Sequence, residues 1–155
     1  SKKGWIEFKN RKKYSDQVLD AYDVRSSQGG KTIARSRSGG NQQKAIVGRE
    51  LDKAHSLLVA VQPTRGLDVG AIESIHKRIV EDRDKGNGVL LVSLELDEVR
   101  NLSDLIYVRY EGEIVGAFLP KETTAEEMGL YRAGAKRRSQ EEMDKVIAKE
   151  ENKHE

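Results

Sequence analysis

The chain has no cysteine in its 155 residues. Disulfide frameworks, thiolate catalysis and Cys-ligated zinc are thereby excluded, and the composition suits a reducing compartment. A strong net charge is also missing. Lys and Arg total 28 against 26 Asp and Glu, leaving +2, so no global field gathers nucleic acid, although 35% of the residues are charged against a typical ~25%. Long apolar runs are absent too. "SLLVAV" and "GVLLVSL" fall far short of the ~20 residues that span a bilayer, and no signal peptide is visible, which points to a soluble chain. The three histidines are scattered: His76 shares a helical face with Ile72, Ile79 and Val80 and reads as a packed side chain, and His55 and His154 stand apart. Finally, no G-x-x-x-x-G-K-[ST] phosphate loop occurs. The "GGKT" at 29–32 lacks the earlier glycine and follows no strand, so it reads as an ordinary loop. The first residue is Ser1, not methionine, which suggests an excised or processed piece.

What is present is sized for one domain with a real core, burying roughly 70% of the surface of its unfolded form. "YSDQVLDAYDV" (14–24) places Val18, Leu19 and Tyr22 at helical spacing, and the Ser/Gly-rich stretch after it reads as loop. From Gly40 to about Ala54 good helix formers carry Ile46, Val47 and Leu51 as an inner stripe. "HSLLVAVQ" and "GVLLVSL" are continuous apolar runs suited to strands buried on both faces. Between them "DVGAIESIHKRIVEDRDKG" sets Ile72, Ile75, Ile79 and Val80 on one helical face and stops at Gly86. After a short helix, "ELDEVRNL", the runs "DLIYVRY" and "EIVGAF" flank "EG" as a hairpin. Strands alternating with helices imply an α/β class with parallel pairing. Beyond Thr123 the pattern weakens to a short capped helix, "TTAEEMGLYRAG", and a charged tail, "KRRSQEEMDKVIAKEENKHE", whose only apolar stripe is Met143, Val146 and Ile147. That tail reads as a frayed or partner-docked helix, and Lys136, Arg137 and Arg138 as a solvated basic face.

The stretch "RSRSGGNQQK" (35–44) raises the question of chemistry. A helix N-terminus carries about half a positive charge and several unpaired N–H groups, and a Ser-Gly-Gly lead-in lets an anion approach backbone with no Cβ in the way. By itself the stretch is equally an N-capped helix after a loop.

Two further stretches extend it. "SGGNQQK", then "SLLVAVQPTRGLDVGA", then "LLVSLELDEV" follow one another over residues 14–118 in a way that resembles the ATP-binding subunit of ABC transporters. The resemblance is to the second nucleotide-binding half of the tandem ATPases that serve simple-sugar and nucleoside importers, the nucleoside importers most of all. It implies a partial P-loop NTPase-like (ABC ATPase) fold, a mostly parallel sheet flanked by helices, without the N-terminal Walker A portion. Residues 1–120 are then a partial nucleotide-binding domain and 121–155 a charged helical tail.

By the same resemblance Ser38, Gly39, Gly40, Asn41 and Gln42 are the ABC signature, which embraces the γ-phosphate of an ATP held by a different nucleotide-binding domain. Arg37 stands where the family usually has Leu. Val61 and Gln62 occupy the Walker B Asp-Glu positions, Leu94 replaces the switch histidine, and Asp68 matches the D-loop aspartate. Valine cannot bind a hydrated metal, and glutamine can orient water but cannot take its proton. The resemblance thus implies ATP and Mg²⁺ in a complete transporter and no hydrolysis by this chain alone. The implied partners are the other nucleotide-binding half and transmembrane permease subunits, with no nucleic acid, on the cytoplasmic face of the membrane. Another reading is a noncatalytic α/β interaction module that self-associates through an exposed sheet edge. A nucleic-acid-bound ABC protein fits less well, because basic patches are few.

Overall fold

The computed structural model describes residues 7–25 and 29–153. The chain divides between Leu90 and Leu91 into two compact units.

In the first unit, helix α1 spans Phe8–Ala21, longer at its start than the apolar spacing indicates because its first two turns, Phe8 among them, are exposed. Its end is a left-handed closure. Asp23 has φ +47, and the Val24 N–H reaches back to the Leu19 carbonyl at 2.8 Å, which brings two apolar side chains together past the last turn. Val18, Leu19, Tyr22 and Val24 form a core against Ala45 and Leu51 of α2 (Gly39–Leu51). The expected stripe on α2 is therefore rotated: Ile46 is 51% exposed, and the inner line runs through Ala45, Gly48 and Leu51. A close approach sets that rotation. A Cβ on Gly48 would stand 2.6 Å from Cδ2 of Tyr22.

Strand β1 (Leu57–Val61) and helix α3 (Val69–Asp84) follow, and strand β2 (Gly88–Val92) begins in this unit and ends in the second. The Gly88 N–H donates to the Ser56 carbonyl at 2.9 Å, so the two strand starts lie side by side and the strands run in the same direction. Ala71, Ile75 and Ile79 of α3 are buried. Gly86, at φ +91, ends that helix as the sequence indicates. The strands themselves depart from expectation. Leu57, Val59 and Val61 are 55 to 61% exposed and Leu90 and Val92 about half exposed, while the residues between them are half-buried. Among the described residues β1 and β2 pair only with each other, and the side chains on one face of this two-stranded sheet are left about half exposed. Apolar runs reported what these strands can bury, not what covers them here.

The second unit is built on an antiparallel hairpin of β3 (Ile106–Tyr110) and β4 (Glu113–Phe118). Glu111 and Gly112, at φ +47 and +91, form its two-residue turn, the geometry that matches strand twist. Helix α4 (Leu96–Leu102) precedes it. Helix α5 (Ala125–Arg132), capped by Thr124, buries Met128 and Tyr131 against Ile106, Val108, Val115 and Phe118. Helix α6 (Gln140–Glu151) covers Ala117 and Leu119 with Met143 and Val146. The tail thus packs its apolar stripe on the chain's own hairpin. Ser139 Oγ accepts from the Glu142 N–H at 3.3 Å while the Glu142 carboxylate accepts from the Ser139 N–H at 2.7 Å, a reciprocal cap that satisfies two orphan donors. Nor is the basic triplet a uniform solvated face. The Arg138 guanidinium lies 4.0 Å over the Phe118 ring, donates to the Ala117 carbonyl and pairs with Glu127 at 3.7 Å.

Candidate functional site

The tip of α2 begins with Ser38 in an extended conformation, φ −59 and ψ 154. Its hydroxyl oxygen accepts from the Asn41 N–H at 3.3 Å and from Asn41 Nδ2 at 3.0 Å. Asn41 Oδ1 in turn accepts from the Arg25 N–H at 2.9 Å, and Gln42 Nε2 donates to the Arg37 carbonyl at 2.9 Å. These bonds hold the entry to the helix in one shape. The first intrahelical bond is Gln42 N–H to Ser38 C=O, 2.9 Å, so the N–H groups of Gly39 and Gly40 lie before it and face outward. Ser38 and Gly39 are exposed, and a Cβ on Gly39 would meet no atom within 4 Å. One on Gly40 would rest in ordinary contact with Leu67 and the Gly66 carbonyl. The chain's own packing requires neither glycine. An anion arriving from outside meets two bare amides, one hydroxyl and the positive end of a 13-residue helix.

Arg37 turns away from that mouth. Its Nη2 donates to the Gly29 carbonyl at 2.9 Å, and its Nη1 is buried without a hydrogen-bond partner. It ties the loop at 29–31 to the helix entry. Gly29–Lys31 themselves form a single 3-10 turn, not a phosphate-binding loop on a strand.

The end of β1 is joined to α2 by a side chain that sequence reasoning passed over. Gln43 Nε2 donates to the carbonyls of Gln62 and Pro63 at 3.3 and 3.0 Å. Gln62 itself sits in the left-handed region at φ +49, a strained position for a residue with a Cβ. Two turns of chain later Asp68 caps α3, accepting from the Ala71 N–H at 2.9 Å. That bond holds its carboxyl below the ordinary carboxylate range, with help from Lys44 and Arg25. Asp68 is exposed.

The first unit therefore gathers Ser38, Gly39, Gly40, Asn41, Gln42, Val61, Gln62 and Asp68 around the α2 tip and the β1 end. Leu94 belongs to the second unit, where it is 61% exposed and its carbonyl accepts from Arg132 at 2.7 Å. No residue at the β1 end suits Mg²⁺. Val61 has no donor atom, Gln62 carries no charge, and no group of three His, Cys, Asp or Glu among the described residues could hold a metal. No described helix is long and apolar enough to cross a membrane.

No protein-family model matches the chain. Curated relatives do. It is 54% identical over 123 residues to the guanosine import ATP-binding protein NupO of Bacillus subtilis, covering 79% of this chain and 24% of that protein. It is 47% identical over 134 residues to the nucleoside import ATP-binding protein NupA of Lactococcus lactis, covering 86% of this chain and 26% of the relative. The chain thus spans about a quarter of the length of these relatives. Among solved structures, a dimeric ATP-binding cassette bound to ADP and Pi matches with a TM-score of 0.66 at 21% identity, over 78% of this chain and 52% of that one. At that identity the likeness concerns the fold alone. The chain carries part of the ABC ATPase, P-loop NTPase fold, and its homologues, among them a glucose import ATP-binding protein of Haloferax volcanii at 43% identity over 83% of this chain, are ATP-binding proteins of nucleoside and sugar import.

Proposed function

We propose that this chain is a portion of the ATP-binding subunit of an importer for nucleosides or simple sugars, belonging to its second nucleotide-binding half. In this reading the tip of α2 closes on the terminal phosphate of an ATP whose other end a different nucleotide-binding half holds. The observation that carries it is the exposed Ser38-Gly39 pair at the tip, with open space where a Gly39 side chain would stand and a half-buried Gly40 behind it.

Each residue then has a physical task. Ser38 offers a hydroxyl, and the Gly39 and Gly40 amides offer charge-matched donors to phosphate oxygens. Asn41 and Gln42 fix the tip from behind, and Gln43 fixes it to the β1 end. The site that this half would own is degenerate. Val61, Gln62 and Leu94 supply neither a metal ligand, nor a proton acceptor, nor an imidazole, so hydrolysis belongs to the site the tip completes. The remaining partners in this reading are the permease subunits that hold the ATPase at the cytoplasmic membrane face.

Calorimetry on the isolated chain tests the division of labour. We expect no micromolar, Mg²⁺-dependent ATP binding, and such binding would show that the chain holds a nucleotide cradle of its own. The open face of β1 and β2 favours a second reading, an α/β interaction module. A complete subunit whose ATP turnover ignores the α2 tip would support that one.

A further inference from the structure

His55 was set aside as a scattered histidine, yet both its ring nitrogens face acceptors. Nδ1 lies 2.6 Å from the Lys53 carbonyl oxygen, and Nε2 lies 2.8 Å from Asp82 Oδ2. A neutral imidazole carries one N–H, so it can satisfy one of these contacts and must set a lone pair against oxygen at the other. Only the imidazolium donates to both. Asp82 is 4% exposed, and its second oxygen accepts from Asn87 Nδ2 at 3.0 Å. A carboxylate so enclosed calls for a counter-charge, and the imidazolium is in contact with it.

We propose that His55 and Asp82 form a proton-controlled latch that fastens the turn between α2 and β1 to the last turn of α3. The contact joins residues 27 positions apart. It sits at the end of α2 opposite Ser38, so it anchors the far end of the helix that presents the tip. Other charges surround the pair. From α3, Lys85 faces the ring and opposes its protonation. Lys53, in the histidine's own turn, bonds outward to Glu50. Arg78, Glu81 and Asp52, with Tyr22 just past α1, line a cleft of about 350 Å³ together with Asp82 and Lys85. The bond from Asp82 raises the imidazole pKa first, the Lys53 carbonyl second, and these outweigh desolvation and Lys85. The sign follows. A histidine whose folded pKa is raised contributes stability that is complete below the unfolded value, 6.5, and lost as pH rises through the folded one.

The test is an NMR pH titration of His55 in the 155-residue chain, folded and in urea. We expect its midpoint to be higher in the folded chain, to fall in Asp82→Asn, and to be shared by the amide signals of residues 53–56 as the turn releases. A folded midpoint at or below the urea value overturns the proposal without any variant. So do turn amides that ignore the histidine's titration.

Discussion

Gln62 holds a backbone conformation that costs its side chain something, and it does so where the chain leaves β1 for the turn ahead of α3. A non-glycine residue in the left-handed region stores ~1 kcal/mol or more. Gln62→Gly should therefore stabilise the chain by up to about 1 kcal/mol in urea unfolding, the gain being trimmed by the entropy glycine loses on folding. Gln62→Glu asks a different question. In the proposed reading it leaves ATP turnover of a complete subunit unchanged, because Val61 and Leu94 would still withhold the metal ligand and the imidazole; a turnover assay reads this directly. Arg138 is the other residue with consequences for stability. Its ring stacking and its bond to Ala117 together make Arg138→Ala destabilising by about 2 kcal/mol, and Lys should recover only part, since an ammonium cannot both stack and donate in that plane. Thermal unfolding of the three proteins checks the order. None of this was legible in "KRRS", because three adjacent basic residues look alike until an aromatic ring from a distant strand arrives beneath one of them.

At the level of elements, the helix entries at Ser38 and Thr124 read as caps in the sequence, and those at Asp68 and Ser139 follow the same local rule. Ser38, Asp68, Thr124 and Ser139 each precede an apolar periodic run, and each accepts from the N–H three residues on. The chemistry of a cap is local, so local sequence displays it. Ser139→Ala should cost about 1 kcal/mol by denaturant unfolding, and the loss should appear in α6 amide exchange before the rest of the chain. The hairpin was readable for the same reason, since "EG" marks both left-handed positions of its turn. Links across sequence were not. Gln43 to Pro63 spans 20 positions and His55 to Asp82 spans 27, and no periodicity within either segment announces them. The inner stripe of α2 was misjudged for a related reason. Hydrophobicity pointed to Ile46, whereas Gly48 admits the Tyr22 ring and decides which face turns inward. Gly48→Ala should accordingly destabilise the α1–α2 pair more than an alanine on an exposed helix position would.

For the whole molecule, the largest surprise is the exposed set Leu57, Val59, Val61 and Leu90 in the first unit. The fold class was legible and so were the strands, but a sequence cannot say how many neighbours a strand has. Unpaired strand edges with apolar side chains associate readily. Sedimentation velocity should show the isolated chain associating with rising concentration, and Val59→Lys should reduce that; a monomer throughout would mean the face is satisfied. The same scale holds the functional claim, for a helix tip that completes another half's nucleotide site does its work only in the assembled subunit. ATP turnover by a complete ATP-binding subunit carrying Ser38→Arg is the direct measurement. The account predicts that turnover is lost, by at least about 100-fold for a blocked phosphate contact of this kind, while nucleotide binding to the other half's cradle persists. Turnover equal to that of the unaltered subunit would contradict it.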